Sequence, residues 1–218
     1  MNETVTSSLS TTTISIGVIL IIAAYLMGSL SSAIIYCRLR GLPDPRTIGS
    51  GNPGVTNILR MDGKFAAFCV LVGDVLKGVI PVLLAKLFEL NPWLIGLTAC
   101  AVLLGHLYPV FFRFQGGKGV ATAAGICLAL NWPFGLAVIF IWLLVVIVTR
   151  TSSLGALAAA AAAPVLAYIL IDWEVASLIL AISALLIWRH QPNIERIRAG
   201  TEPKIGENGA KIPESEAK

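Results

Sequence analysis

The feature that most constrains this chain is its run of long apolar segments, seven in all: residues 14–36, 65–87, 93–112, 119–130, 133–148, 153–171 and 175–188. A helix that crosses the hydrocarbon core of a bilayer needs about 20 mostly apolar residues, within a range of about 17–25. Segments 14–36, 93–112 and 153–171 meet that outright. Segment 65–87 is long enough but holds Asp74 and Lys77, and segment 133–148 is short but wholly apolar. Segments 119–130 and 175–188 are the doubtful ones on length. Composition agrees, with 56% hydrophobic and 13% charged residues, against about 25% charged in soluble domains. A soluble globule and a disordered chain are both excluded. The expected fold is an all-α polytopic integral membrane helical bundle with seven transmembrane helices, or five if the two doubtful segments do not span.

Charge placement sets the expected orientation. On seven spans, fourteen of the sixteen Lys and Arg residues fall on one face, the exceptions being Lys77 and Lys86. The loops of the other face carry Glu89, Asp172 and Glu174. The positive-inside rule then places the N-terminus outside and the C-terminus in the cytoplasm. Five spans would move Arg150 outside, which favours seven. Residues 1–13 hold no Lys or Arg, so they lack the cationic start of a signal peptide. The expected organisation is an extracytoplasmic segment 1–13, a membrane domain 14–199 and a polar cytoplasmic tail 200–218. The net charge of +4 follows from the cytoplasmic loops and gives no reason to expect nucleic acid. Cys37, Cys69, Cys100 and Cys127 lie in or beside apolar segments without CxxC spacing, as small buried hydrophobes do. The alanine run 158–163 is expected to be a packing face.

Polar residues at membrane depth are costly and mark candidate sites. Five clusters stand out. In the first, residues 49–60, three glycines and a proline are followed by Thr56, Asn57 and Arg60, with Ser50 and Asn52 between them. Exposed N–H groups and an arginine fork suit an anion, but an ordinary cytoplasmic turn has the same composition. The second, Gln115-Gly116-Gly117-Lys118-Gly119, precedes an apolar helix. A glycine turn with a lysine at a helix N-terminus is a natural phosphate cradle, although it lacks the Walker A spacing. The third holds Arg189, His190 and Asn193; a helical turn would put the last two on one face. In the fourth, Asp74 and Lys77 are spaced to form an internal ion pair. The fifth, Arg150-Thr151-Ser152-Ser153, suits a helix cap. His106 is expected to be a packed, hydrogen-bonded group. No nucleophile elbow, metal-ligand spacing or covalent triad is present, so neither metal nor cofactor is expected.

Two classes of function fit these clusters: a membrane enzyme acting on phosphorylated, lipid-facing substrates, and a transporter of an anionic phosphorylated solute. Transporters commonly show inverted repeats with sites at the midplane. Here no repeat is visible and the clusters sit at one rim, which favours the enzyme.

Taken together, 50–60, Gly73-Asp74 with Lys77-Gly78, 105–122 and Arg189-His190-x-x-Asn193 through Glu202 closely resemble the bacterial acyl-phosphate-dependent glycerol-3-phosphate acyltransferases, the PlsY family. The resemblance covers roughly 14–206. Val55 stands where alanine is usual, and Gln115 where lysine is common. It implies transfer of a fatty acyl group from acyl phosphate to the sn-1 hydroxyl of glycerol 3-phosphate, giving lysophosphatidic acid and phosphate, in the bacterial cytoplasmic (inner) membrane with the site facing the cytoplasm. The implied partners are the two substrates, membrane lipids and, functionally, the enzyme that makes the acyl phosphate. Ser50, His190 and Asn193 become the implied catalytic groups. Asn52, Thr56, Asn57, Arg60, Gly116, Gly117, Lys118, Gly119 and Ser153, with Ser152 as the rival to Ser153, become the implied substrate and phosphate contacts. Asp74 and Lys77 would support them. The donor is already an activated anhydride, so direct attack without an acyl-enzyme is expected, with His190 or a phosphate oxygen taking the proton.

Overall fold

In the computed structural model, residues 11–206 are described, and among them every regular element is helical. The helices are α1 (Thr11–Gly28), α2 (Ser32–Leu39), α3 (Val55–Leu87), α4 (Pro92–Leu107), α5 (Val120–Leu130), α6 (Trp132–Thr149), α7 (Ser152–Leu170), α8 (Trp173–Arg189) and α9 (Gln191–Arg198), with a 3-10 turn at Val110–Phe112. Among the described residues four stretches are long and apolar enough to cross a membrane, and six are if the bent pairs α1–α2 and α8–α9 each count as one.

The segments alternate between two ends of the bundle. One end holds the start of α3, the start of α7 and the end of α8. It is tied together by Thr56 Oγ1 donating to Ser152 Oγ (3.2 Å) and Arg60 Nη2 donating to the Pro203 carbonyl (3.3 Å). The other end gathers Trp93, Trp132 and Trp173, all exposed near the first residues of α4, α6 and α8, the placement that amphipathic rings take at a membrane interface. Helix α5 has 11 residues and is about 17 Å long, too short to cross by itself. It starts at the first end from an irregular, buried glycine loop. It finishes at the second, where Lys86 Nζ from the last turn of α3 donates to the Ala129 and Leu130 carbonyls (3.1 Å each). A lysine capping the negative end of a helix is favourable. It accounts for one of the two cations that depart from the charge bias.

Lys77 is the other. Segment 14–36, expected as one helix, is two: α1 and α2 meet at a bend of 47° across residues 29–31. The apolar run continues through the bend, so hydropathy does not reveal it. The freed backbone groups are satisfied inside the protein, as membrane depth demands. Ser29 Oγ donates to the Tyr25 carbonyl (2.8 Å), Ser31 Oγ accepts from the Ile34 amide (3.4 Å), and Lys77 Nζ donates to the Leu30 carbonyl (3.0 Å). Lys77 also pairs with Asp74 at 2.8 Å, and Ser32 Oγ donates to the same Asp74 oxygen at 2.8 Å. The expected ion pair is present. It also anchors the bend.

Helix α3 is interrupted at Gly63 (φ 84°), which separates a short first helical piece carrying the 55–62 residues from the long apolar stretch. Close crossings rest on small residues, the usual solution in lipid. A side chain at Gly28 would meet the Val102 carbonyl, and one at Gly105 the Tyr25 carbonyl, so α1 and α4 touch backbone to backbone. Gly78 and Gly125 do the same for α3 and α5. On α7, Ala156, Ala159, Ala160 and Ala163 are buried, but they also line a cavity rather than only packing against neighbours. Cys37 and Cys127 are buried and Cys69 and Cys100 half-buried, all as free thiols.

Two further expectations change. The Thr151–Ser153 hydroxyls do not cap α7: no side chain bonds its open amides, Thr151 Oγ1 donating instead to the Thr149 carbonyl (3.1 Å) and Ser153 Oγ to Glu202 (2.6 Å). The polar tail, expected from residue 200, is not free at its start. Ile205 N donates to the Arg150 carbonyl (2.7 Å) and Arg150 Nη2 to the Ile205 carbonyl (3.0 Å), which holds 201–205 across the first end of the bundle. Residues 1–10 and 207–218, including most of the expected N-terminal segment and of the tail, lie outside the described residues.

Candidate active site

At the first end of the bundle four sequence clusters come together. The 49–60 loop is held by Asn57, whose side chain is buried. Its Oδ1 accepts from the Ser50 amide (3.0 Å), and its Nδ2 donates to the Pro45 and Ile48 carbonyls (2.9 and 3.0 Å). Expected as a phosphate contact, Asn57 has its amide committed to shaping the loop. That loop presents Ser50 and Asn52, with Thr56 and Arg60 on the first turns of α3.

Across from it lies the glycine loop. Gly119 is left-handed (φ +84°), a conformation that costs little only without a side chain, and it opens α5 without a capping side chain. A Cβ on Gly117 would lie 2.3 Å from His106 Nε2, so the loop rests directly on His106. His106 is the packed group expected: Nδ1 lies 3.2 Å from Thr122 Oγ1. Lys118 Nζ donates to Asn193 Oδ1. Burial presses the Lys118 ammonium down to about 8, Arg196 adds to this, and Glu202 works against it.

The third side comes from the bend of 57° between α8 and α9. His190 and Asn193 are both buried there, and the Asn193 amide donates to the His190 carbonyl (2.9 Å). His190 Nδ1 lies 2.7 Å from the Leu186 carbonyl. A carbonyl only accepts, so Nδ1 carries the proton and Nε2 keeps its lone pair. Burial lowers the imidazole to about 4, against the Leu186 bond, so His190 is neutral at pH 7.

Glu202 joins these parts. Oε1 accepts from Ser153 Oγ (2.6 Å) and Asn193 Nδ2 (2.6 Å), and Oε2 from Arg196 Nε (2.7 Å). Burial alone would raise its pKa, but those three bonds outweigh it and hold the carboxyl below its usual range. Glu202 and Arg196 belong to the site; Glu202 closes the last motif of the resemblance and Arg196 lies in the third cluster, but the sequence gives neither a role. Glu202 sits in a stretch whose composition looks like a solvated tail. Asp74 and Lys77 lie deeper, although Asp74 reaches the cavity wall.

Two cavities meet here. One of ≈ 320 Å³ is open and of mixed lining, with Ser50, Asn52, Gly116, Lys118, Arg189 and Arg196 beside Trp188 and Pro192. The other, of ≈ 740 Å³, is largely apolar. It passes Thr56, Arg60, Ser153, His190 and Asn193, then runs down the alanine face of α7 to Trp142. Ser50, Asn52, Lys118 and Arg196 line both. Among the described residues no group of three or more His, Cys, Asp or Glu could hold a metal ion.

A helical membrane bundle in which a cavity lined by cations and neutral polar groups backs onto a largely apolar one is the class that the fold and the site define. Known proteins make the class specific. The family model for glycerol-3-phosphate acyltransferase matches residues 18–200. The chain is 52% identical over 189 residues to a glycerol-3-phosphate acyltransferase of Thioalkalivibrio sulfidiphilus, covering 86% of this chain and 93% of that one. It is 49% identical over 187 residues to the one of Photobacterium profundum, covering 86% and 92%. Among solved structures it is similar to PlsY (YgiH), an integral membrane glycerol 3-phosphate acyltransferase. To the glycerol 3-phosphate form the TM-score is 0.84 at 39% identity, covering 87% of this chain and 96% of that chain. To the lysophosphatidic acid form it is 0.82 at 38% identity, covering 87% and 95%. The chain belongs to the glycerol-3-phosphate acyltransferase family, the PlsY type of integral membrane acyltransferase.

Proposed function

We propose that the donor is a long-chain acyl phosphate, and that the enzyme transfers its acyl group directly to the sn-1 hydroxyl of glycerol 3-phosphate, giving lysophosphatidic acid and inorganic phosphate as the first acylation of phospholipid synthesis. The observation that carries this is the shared wall between the cavities. A small polar acceptor suits the open cavity, with its phosphate near Lys118, Gly116 and Arg196. The acyl tail suits the apolar cavity, with the donor phosphate near Arg60, Thr56 and Ser153. The reacting hydroxyl and carbonyl then meet between Ser50, Asn193 and His190. The related PlsY structures are of a glycerol 3-phosphate form and a lysophosphatidic acid form, the acceptor and product of this reaction.

The hydroxyl oxygen attacks the acyl carbonyl, the bond from that carbon to the phosphate oxygen breaks, and phosphate leaves with the electron pair. The hydroxyl proton goes to His190 Nε2 or to an oxygen of the departing phosphate. Neutral His190 with a free Nε2 lone pair supports the first route. The cations supply the preorganised field for the developing charge. Asn57 and Glu202 hold the loops in register, and Gly119 opens the helix end.

The same reading makes the seven alternating segments seven crossings, the short α5 among them, with Lys118 at its cytoplasmic mouth. The N-terminus is outside and the site faces the cytoplasm, because the cations cluster at its end. Residues 14–206 then form the membrane domain of a bacterial cytoplasmic-membrane enzyme.

Purified protein in detergent should release phosphate from a long-chain acyl phosphate only when glycerol 3-phosphate is present. Release without the acceptor, or glycerol 3-phosphate flux into sealed vesicles without acylation, would refute the reading. His190→Ala tests the base. If its pH–rate profile keeps the acid limb of the wild type, His190 is not the proton acceptor.

A further inference from the structure

We infer that Arg189 is a positioning residue: its guanidinium fixes the peptide planes of the Gly116–Gly117–Lys118 loop and sets that loop against His190, its own neighbour in the chain. The inference rests on the proposed placement of a substrate phosphate at this loop. The loop has little of its own to hold it. Gly116 and Gly117 carry no side chains, and the one backbone tie is the Gly117 amide donating to the His106 carbonyl (3.2 Å). Arg189 Nη2 donates to both the Gly116 and the Gly117 carbonyls, at 3.2 Å each. In a planar trans peptide the C=O and the next N–H point opposite ways. Pinning the Gly117 carbonyl therefore fixes the direction of the Lys118 amide, for which no acceptor stands among the described residues.

Arg189 is itself held in place. Its guanidinium carbon lies 5.5 Å from the Tyr108 ring centroid, a cation–π contact. Tyr108 is fixed by the Tyr25 hydroxyl donating to its carbonyl (2.9 Å). The arrangement has a cost: Arg189 Nε is buried without a partner. An apolar side chain would fill the space without that cost but would leave the two glycine carbonyls free to turn. Because Arg189 ends α8 and His190 follows it, the same side chain sets the spacing between the anion loop and the imidazole. Lys118 to Asn193 is a second tie across the same gap.

The test compares wild type, Arg189→Ala and Arg189→Lys in detergent. It measures glycerol 3-phosphate binding by calorimetry, KM and kcat for both substrates, and unfolding temperature. Arg189→Ala should weaken glycerol 3-phosphate binding about tenfold, a fraction of what two charge-assisted bonds are worth, because those bonds go to the loop and reach the substrate only through it. Its KM for that substrate should rise more than kcat falls, and millimolar guanidinium ion should restore part of the loss. Arg189→Lys keeps the charge but not the planar fork and should fall between. Wild-type binding by Arg189→Ala would overturn the inference. So would a fall in kcat alone, with KM unmoved and no guanidinium rescue, because that is a structural defect. If Arg189→Ala does not fold, Arg189→Lys decides: a raised KM at a wild-type unfolding temperature supports the inference, and a wild-type KM overturns it. Failure of the proposed reaction itself would show as acceptor-independent or absent phosphate release by the wild type, while the binding comparison still reads Arg189.

Discussion

Two clusters of polar side chains sit inside this apolar chain, and they are finished differently. Around Asp74 the two charges answer each other: Lys77 Nζ and Ser32 Oγ meet one Asp74 oxygen, Lys77 Nζ also donates to the Leu30 carbonyl, and the side chains of Asp74 and Lys77 are 2% and 6% exposed. Around Lys118 the protein leaves valences open. His190, Ser50 and the open N-terminus of α5 at Gly119 line the cavities. Both clusters were costly to place in a membrane protein. A closed cluster repays that cost by fixing a bend in the backbone, and an open one by leaving groups for a ligand. Burial of a charge therefore does not separate structure from function; the count of unanswered donors and acceptors does.

The contrast is broken most forcefully at Lys77. Lys77→Met leaves the Asp74 carboxylate buried and unpaired, and removing one partner of a buried pair costs about 3–5 kcal/mol. The variant should unfold at a markedly lower temperature in detergent, with its folded fraction keeping wild-type KM values. Adding Asp74→Asn to it should recover much of the loss. If Lys77→Met instead keeps its stability and raises a KM, the deep cluster is part of the substrate site.

The apolar cavity gives the next test. Ala160 is buried on its wall, and Ala160→Leu shortens the space left for a tail. Displacing about two methylenes, at about 0.8 kcal/mol each, is roughly a 15-fold change. The kcat/KM for the longest acyl phosphates should fall by that order while short-chain donors are spared. A uniform loss across chain lengths would mean that this cavity does not hold the tail.

The residues explain which parts were legible in the sequence. The seven apolar segments are legible because lipid forces long apolar runs, and the glycine loops because polar and glycine residues interrupt those runs. The bend at 29–31 was hidden, because Leu30, Ile34 and Ile35 keep the run apolar on both sides and only the serines carry the break. The role of Glu202, though not its place in the last motif, is hidden for the opposite reason: its polar neighbours look like any solvated tail, and its partners Ser153 and Asn193 are 49 and 9 positions away. Lys86 reads in the sequence as a charge on the wrong side, and its partners are the last carbonyls of α5, 43 and 44 positions away. Each gap is a long-range contact, and neither composition nor periodicity carries that information.

The smallest effect tests the open cluster through its own charge. Lys118 is held down to about 8 by burial and by Arg196, with Arg189 and Arg60 acting the same way and Glu202 opposing them. A lowered lysine is charged below that value and loses its proton as pH rises through it. Glycerol 3-phosphate is already a dianion there, since its second ionisation lies near ~6, so the limb belongs to the enzyme. From pH 7 to pH 9 the charged fraction falls from about 0.9 to about 0.1, which predicts roughly a tenfold rise in KM for glycerol 3-phosphate. His190, lowered to about 4, does not change charge in that window. Lys118→Arg keeps its charge throughout, so its KM should be flat over the same range even if it starts higher. A limb that survives in Lys118→Arg would belong to another group and would remove Lys118 as the cation that meets the acceptor phosphate.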